Sequence, residues 1–335
     1  MSDTQRHFPA CFVEFPLSTE GRRCAFFLAA EEYIADTLPE DNYFFTWQLA
    51  PTVVMGRNQV AHQEINIDFC RREGIDIVRR RSGGGAIFAD RNNVFNSLVT
   101  GGCPVETLFE EYAHALADAL KRLGAPASVS GRNDIVLEGE KKICGNAFYH
   151  KPNRNIAHGT MLYDTNPQLM QGALNPDVSK LEAKGVKSVR SRIGLLKDYL
   201  NIGADELRQQ IRLLLTDRSI RLTDEDVQRI GEIEQTYYTD DYLYGTPTHA
   251  DIVRSQRIEG CGTVEMHIAL AGSIITGIRL AGDYFDLSDA PRIFAKAFEG
   301  VPLTPDSIRR AIEEHHPERA IRGLDTESLI NLFIS

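Results

Sequence analysis

The part of this sequence best equipped for chemistry is residues 79–90, which read RRRSGGGAIFAD. Three adjacent glycines give up side-chain packing and cost backbone entropy on ordering, so they are expected where a ligand approaches the main chain or where φ is positive. Arginines supply planar, permanently charged donors that match carboxylate and phosphate oxygens. The segment predicts an anion-binding loop, although a glycine-rich turn with solvated arginines would produce the same pattern.

A second candidate site lies in residues 131–150, GRNDIVLEGEKKICGNAFYH. Asp134 and Lys142 stand on two short strand-like runs joined by a polar turn, so a hairpin would bring their side chains together. Small residues after Lys142, including Gly145 and Ala147, leave room for a ligand beside the ammonium. An ordinary hairpin with solvated charges is the alternative interpretation.

Charge is distributed unevenly along the chain. The whole protein has a formal net charge of -10, which argues against general binding to nucleic acid or to a membrane surface. Residues 141–197, in contrast, contain ten basic and three acidic residues. This concentration of positive charge in an acidic protein predicts that an anion, such as a nucleotide or an acidic protein partner, binds there.

Length and composition predict a two-domain, cytoplasmic protein. A chain of 335 residues exceeds what one hydrophobic core usually supports. The six cysteines form no CxxC pair and no zinc-like spacing with histidine, which fits a reduced compartment. The sequence has no apolar run of about 18 residues and no signal-peptide pattern, so no membrane span is expected.

Hydrophobic periodicity predicts a mixture of helices and strands without a regular βαβ alternation, which is typical of an α+β fold. We place a domain boundary in the tyrosine-rich polar stretch near residue 240, giving a catalytic domain over residues 1–242 and a small α+β domain over residues 243–335. Predicted helices cover residues 22–37, 108–123, 204–216, 225–236, 289–297, 305–314 and 326–333. Predicted strands cover residues 43–48, 52–55, 75–78, 86–88, 135–137, 143–148, 159–163, 263–270 and 274–280.

Taken in order, the motifs resemble those of the lipoate-protein ligase A family. RRRSGGGA at 79–86, GRND at 131–134, KICGNA at 142–147, HGT at 158–160 and KGVKSVRSR at 184–192 follow one another as in that family, and the resemblance covers nearly the whole chain. Each motif is weak alone, but five in sequence are specific. The resemblance implies a mixed-sheet catalytic domain of the biotin/lipoate ligase type with a C-terminal accessory domain.

The resemblance also implies an ATP-dependent, two-step reaction. Lipoate and ATP, with Mg²⁺, would form lipoyl-AMP and pyrophosphate, and a lysine of a lipoyl domain would then attack the acyl carbon. Acceptors of this kind are the E2 subunits of 2-oxoacid dehydrogenases and the glycine cleavage H protein. A monomer is expected, with no nucleic-acid partner and no membrane association.

Residue roles are carried over from the matching motifs. Lys142 would bridge the lipoyl carbonyl and the α-phosphate, and Asp134 would receive Mg²⁺ or orient Lys142 and the incoming amine. Arg80 would pair with the carboxylate or a phosphate, and Asn93 would orient the nucleotide. The strand at 86–88 and the N-terminal helix would contribute the apolar part of the pocket. The other residues expected to bind lipoate or ATP are Ser82, Gly83, Gly84, Gly85, Gly145, Ala147, His158, Thr160, Lys184 and Gly185.

Three alternatives remain open at the level of sequence. An octanoyl or lipoyl amidotransferase shares this fold but uses a cysteine thiolate as acyl carrier, and Cys144 stands two residues beyond Lys142. A non-catalytic lipoyl-protein binder would not need both Asp134 and Lys142. A biotin ligase would carry a GRGRxGR-like segment, which does not occur in this sequence.

Overall fold

A computed structural model of the chain describes residues 10–102, 105–131, 134–175, 193–244 and 250–334. The strands are β1 (Ala10–Glu14), β2 (Tyr43–Trp47), β3 (Thr52–Met55), β4 (Asp76–Arg79), β5 (Ile87–Ala89), β6 (Asn93–Gly101), β7 (Ser128–Ser130), β8 (Asp134–Leu137), β9 (Lys141–Lys151), β10 (Arg154–Leu162), β11 (Thr216–Arg221), β12 (Ile252–Ile258), β13 (Gly262–Ala271) and β14 (Ile274–Gly282). The helices are α1 (Cys24–Thr37), α2 (Ala61–Glu64), α3 (Ile67–Glu73), α4 (Val105–Arg122), α5 (Pro167–Ala173), α6 (Ala204–Leu215), α7 (Asp224–Glu234), α8 (Asp240–Tyr244), α9 (Ala290–Phe298), α10 (Pro305–His315) and α11 (Thr326–Ile334). None of these helices is long and apolar enough to cross a membrane.

The central feature is an eight-stranded mixed sheet with the order β11-β1-β2-β6-β10-β9-β8-β7. Strand β1 pairs in parallel with both β2 and β11, whereas the pairs from β2 through β7 are antiparallel. The predicted α+β class with a mixed sheet is therefore confirmed. Sequence patterns located β2, β8, β9 and β10 but missed β1, β6, β7 and β11.

Both faces of this sheet are covered by helices, which explains why its strands are apolar on both sides. Neighbouring residues of β2 point to opposite faces, since Phe44 belongs to the cluster beneath α4 and α6 and Phe45 to the cluster beneath α1 and α7. Strand β6 divides its residues in the same way, with Leu98 on the first face and Val99 on the second. A strand buried on both faces reads as a continuous apolar run rather than an alternating one.

A small three-stranded sheet, ordered β4-β3-β5, carries the glycine loop. Strand β4 is parallel to β3 and β5 is antiparallel to it, so β4 and β5 lie on opposite sides of β3. The connecting residues 80–86 therefore pass across the end of β3 instead of closing a hairpin. Arg80 begins this crossing, with its main-chain N–H donating to the Met55 carbonyl.

The C-terminal part of the chain, from β12 to α11, forms a second, smaller α+β unit. The antiparallel sheet β12-β13-β14 packs against α9, α10 and α11, and a hairpin turn at Gly272 joins β13 to β14 as predicted. The segment after β14 contacts the glycine loop, because the Gly84 N–H donates to the Tyr284 carbonyl at 3.1 Å. The Gly282 N–H donates to the Asn58 carbonyl in the segment that follows β3.

Candidate active site

A cavity of about 130 Å³ opens between the glycine loop, the central sheet and α1. Its apolar wall contains Leu28 of α1, Trp47 of β2, Ile87 of β5 and Phe95 of β6, so the expected contributions of the strand at 86–88 and of the N-terminal helix are present. Phe285, from the C-terminal part, completes this wall. The predicted site residues that line the cavity are Arg80, Gly84, Gly85, Lys142, Gly145, Ala147, His158 and Thr160.

Lys142 and Asp134 meet across the β8–β9 pair. The Nζ atom of Lys142 lies 2.7 Å from Oδ1 of Asp134, as the predicted hairpin requires. Asp134 is opposite Gly145 in the register, and the side chain of Lys142 folds back over this glycine. A Cβ atom at position 145 would lie 2.7 Å from Lys142 Nζ, so the missing side chain provides the space that the ammonium occupies.

The side chain of Arg80 stabilises the glycine loop by hydrogen bonds to atoms of the loop itself. Its side chain is buried and donates from Nε to Ser82 Oγ, from Nη2 to the carbonyls of Gly83 and Gly85, and from Nη1 to the Val54 carbonyl. Burial lowers the pKa of Arg80 to about 10, which leaves the group charged at neutral pH. Among the described residues no carboxylate oxygen lies within 4.0 Å of it, so the pocket contains a buried cation without a direct counter-ion.

The two neighbouring arginines, to which no ligand was assigned, have structural roles. Arg79 is buried and donates to the main-chain carbonyls of Gly56, Arg57, Gln59 and Leu243. Arg81 lies over the rings of two tyrosines, at 4.7 Å and 4.3 Å from their centroids, and pairs with a glutamate of α1. Its partners are Tyr237, Tyr242 and Glu32. An arginine bound in these ways has few donors left for a ligand.

The three glycines differ in how closely other atoms approach them. A Cβ at Gly83 would lie 2.2 Å from the Tyr284 carbonyl oxygen, and one at Gly84 would lie 2.9 Å from the Phe285 ring. Gly84 also has a φ of +88°, a region that favours glycine. Gly85 has no atom within 4 Å of its Cβ position. The first two glycines thus permit close packing against the C-terminal part, while the third borders the cavity.

His158 is held by hydrogen bonds on both ring nitrogens. Nδ1 lies 2.9 Å from a carboxylate oxygen of Glu31, and Nε2 lies 2.8 Å from Ser82 Oγ. Ser82 is fully buried behind the loop and is not part of the cavity wall. Glu31, also fully buried, is a residue that sequence reasoning missed. Its position three residues after Leu28 and three before Ile34, on the apolar stripe of α1, was the available signal.

Asn93 begins β6 and is fully buried, yet both polar atoms of its side-chain amide lack a hydrogen-bond partner in the protein. Buried polar atoms are costly unless something satisfies them. Asn93 does not line the cavity, so the structure does not bring this predicted site residue to the surface that a ligand would contact. Lys184 and Gly185, predicted to close over the nucleotide, lie outside the described residues.

Cys144 does not have the surroundings of a nucleophile. Its side chain belongs to the core cluster beneath α4, is absent from the cavity wall and is 1% exposed. Burial raises the pKa of the thiol to about 12, although the Lys142 ammonium acts in the opposite direction. Because the thiolate is the reactive form, this environment does not favour an amidotransferase.

The folded chain thus brings together an acyl-sized apolar cavity, a paired ammonium and a buried guanidinium, as expected of an acyl-activating enzyme. Its sequence matches the profile of the lipoyl protein ligase A/B catalytic domain over residues 23–214 and that of the bacterial lipoate protein ligase C-terminus over residues 248–333. The first match spans more than half of the chain. The chain belongs to the lipoate-protein ligase family.

Curated relatives and solved structures agree with this assignment. Lipoate-protein ligase 1 of Staphylococcus aureus is 30% identical over 91% of this chain and 95% of its own length. Lipoate-protein ligase LplJ of Bacillus subtilis is 32% identical over 79% of this chain and 83% of its own. In fold, the chain is similar to LipL1 of P. falciparum, crystallised in complex with lipoate, with a TM-score of 0.77 at 16% identity over 96% of this chain and 97% of that one.

Proposed function

We propose that this protein uses ATP to convert lipoate to lipoyl-AMP and then transfers the lipoyl group to a lysine of a lipoyl domain. In the first step a carboxylate oxygen of lipoate attacks the α-phosphorus and pyrophosphate leaves. In the second step the lysine amine attacks the acyl carbon, AMP leaves, and the amine gives up a proton as the amide forms. The observation that carries the proposal is the Lys142 ammonium at the mouth of an apolar cavity beside the glycine loop.

Lys142 is suited to the first step because two anions must be brought together. Its ammonium can contact a lipoate oxygen and an α-phosphate oxygen at once and stabilise the charge that builds up between them. Asp134, 2.7 Å away, orients this ammonium. Arg80 adds fixed positive charge at the wall of the same cavity. Its N–H groups already donate to Ser82 and to the carbonyls of Val54, Gly83 and Gly85, so we propose that it attracts the carboxylate or phosphate by its charge and not by direct pairing.

Asp134 is the residue that we propose would hold Mg²⁺. No group of three or more candidate metal-binding side chains occurs in the part of the chain that the structure describes. Mg²⁺ with a nucleotide needs less, because it usually binds through one or two carboxylates together with phosphates and water. Asp134 would be its protein ligand, and the ion would neutralise phosphate charge. The carboxylate would then exchange part of its contact with Lys142 for the metal.

The remaining site residues divide between the two substrates. The apolar wall, with Gly84, Gly85 and Ala147, would receive the hydrocarbon chain of lipoate, and Gly83 and Ser82 would shape the loop from behind. The role of Asn93 in orienting the nucleotide stays a prediction, because its unsatisfied amide lies outside the cavity wall. We expect His158, Gly145 and Thr160 to lie where lipoate meets the nucleotide. We expect Lys184 and Gly185 to cover the nucleotide.

The acceptor is proposed to be a lipoyl domain such as those of E2 subunits or the H protein. A similar fold occurs in a bi-partite lipoate protein ligase of Thermoplasma acidophilum, studied together with its E2 lipoyl domain. We also propose that the protein acts as a monomer. Light scattering on the purified protein measures the oligomeric state.

The experiment that tests this function is pyrophosphate release with ATP and lipoate, octanoate or biotin. The wild-type protein should release pyrophosphate with lipoate, and Lys142→Ala should lose about two to three orders of magnitude in rate, as is typical when one charge-stabilising donor is removed. Lys141→Ala is the matched control, because Lys141 is the exposed neighbour on the same strand. Wild-type turnover by Lys142→Ala would contradict the mechanism.

A further inference from the structure

A continuous chain of hydrogen bonds runs beneath the cavity, and we call it the Glu31 network. Trp47 Nε1 donates to Ser97 Oγ at 2.9 Å, and Ser97 Oγ lies 2.6 Å from Glu31 Oε1. Glu31 lies 2.9 Å from His158 Nδ1, and the opposite ring nitrogen lies 2.8 Å from Ser82. The network consists of Trp47, Ser97, Glu31, His158, Ser82 and Arg80.

The two ends of the network fix part of its hydrogen-bond pattern. The N–H groups on Trp47 and Arg80 can only donate, so each serine oxygen accepts one of them. The Ser97 hydroxyl then donates to Glu31, and Ser82 Oγ is hydrogen-bonded to His158 Nε2. The other ring nitrogen of His158, Nδ1, is hydrogen-bonded to Glu31. Both arms of the network therefore meet at one carboxylate.

Glu31 and Arg80, the charged groups of the network, both need hydrogen-bond partners. Glu31 is completely buried in an otherwise apolar stretch of α1, where an ionised carboxylate is stable only when it is hydrogen-bonded. Arg80 is buried as well, and His158 and Ser82 lie between it and Glu31. Removing the Glu31 carboxylate would leave this hydrogen-bonded chain without its acidic group.

Both arms of the network end at the cavity wall, whereas its centre does not reach the cavity. Trp47, His158 and Arg80 line the cavity, but Glu31 and Ser97 are absent from the wall. Resting on the proposed function, we infer that Glu31 is a positioning residue for lipoate binding. It fixes the indole and imidazole walls and, through Ser82 and Arg80, the carbonyls of the glycine loop.

The arrangement of Ser82, His158 and Glu31 has the distances of a serine nucleophile with its base and orienting acid. Two observations exclude that role. Ser82 has no exposed surface and lies outside the cavity wall, so an acyl carbon cannot reach it. Its oxygen also accepts a hydrogen bond from the Arg80 guanidinium at 2.9 Å, which weakens it as a nucleophile. Positioning is the role that the geometry supports.

Trp47 is the single tryptophan of the chain, so its fluorescence reports on this network directly. In Glu31→Gln, which keeps the shape but removes the charge, the emission maximum should shift and quenching by acrylamide should increase. The Kd and KM for lipoate should rise about tenfold, as expected for loss of one charged hydrogen-bond acceptor, while kcat changes much less. Glu32→Gln is the matched control, because the adjacent carboxylate bonds to Tyr237 and Arg81 instead.

A Glu31→Gln protein with wild-type emission and wild-type lipoate affinity would overturn the inference. Should that variant fail to fold, Ser97→Ala serves as the second test, because it cuts the arm to Trp47 and should alter the emission and weaken lipoate binding by itself. Wild-type behaviour of Ser97→Ala in both measurements would also overturn it. Failure of the wild-type protein to release pyrophosphate with lipoate would instead remove the proposed function.

Discussion

The position of the Lys142 ammonium depends on the absence of a side chain at Gly145. A Cβ at position 145 would lie 2.7 Å from Lys142 Nζ, and the atoms it would meet are the end of a flexible side chain. We therefore expect Gly145→Ala to fold normally but to displace the ammonium, with kcat for pyrophosphate release falling about tenfold to a hundredfold, as misplacement by about 1 Å can cause. Unchanged kcat would contradict this. Gly231→Ala, at a remote glycine with no atom within 4 Å of its Cβ position, is the control.

The thiol of Cys144 provides a second test at this scale. With its pKa near 12, almost none of it is ionised at neutral pH, so iodoacetamide should not inactivate the native enzyme. Cys144→Ala should keep ATP-dependent activity, with a modest loss of stability from the buried cavity it creates. Acyl transfer that needs no ATP and disappears in this variant would instead establish the amidotransferase.

The positions of single residues could be predicted where a short motif determines which residues lie beside them. Asp134 and Lys142 were placed correctly because a short hairpin leaves little freedom in how its strands meet. The roles of Arg79 and Arg81 could not be predicted, because their partners come from residues 56–59 and 237–243 and only the fold brings these close. Glu31 differs from Glu32 only in which face of α1 it occupies.

At the scale of elements, the glycine loop offers a matched pair of substitutions. Gly83→Ala would push a Cβ into the Tyr284 main chain, which cannot move as a side chain can, so we expect a loss of about 1–3 kcal/mol in the free energy of unfolding, typical of overpacking. Gly85→Ala meets open space and should cost much less. Urea denaturation of the two variants measures the difference, and equal losses would show that the loop does not pack as described.

The elements themselves were unevenly visible in the sequence. Amphipathic helices such as α6 and α7 were found because their apolar faces recur at helical spacing. Strands β1 and β11 were missed, and the polar letters TDRSIR of β11 carry no clear alternation. Their existence depends on parallel partners distant in the sequence, which local patterns do not encode.

At the scale of the whole molecule, the contact between the C-terminal part and the glycine loop contains a buried acid. Asp286 accepts a hydrogen bond from Asn58, and its other carboxylate oxygen has no partner. Burial raises the pKa of Asp286 above 3.8. The folded state therefore holds this proton more tightly than the unfolded state, so the stability due to Asp286 is present at low pH and is lost as pH rises through the raised pKa.

Asp286→Asn should remove that pH dependence and raise the free energy of unfolding near pH 8, because the amide stays neutral. Thermal unfolding across the pH range from about 4 to 8 measures the effect. Glu259→Gln, at an exposed turn, controls for the change in net charge. A variant no more stable than the wild type near pH 8 would contradict the assignment.

The domain boundary at residues 242–243 remains a prediction, and limited proteolysis tests it.

The order of the strands has a consequence for synthesis on the ribosome. Val13 of β1 pairs with Ile220 of β11. One of the first strands to leave the ribosome therefore cannot complete its pairing until one of the last strands of its sheet has been synthesised. Phe285 then arrives later still to complete the cavity. A nascent chain that already includes Lys142 consequently has an unfinished sheet edge and an open-sided cleft, so substrate capture begins only after nearly the entire polypeptide has been translated.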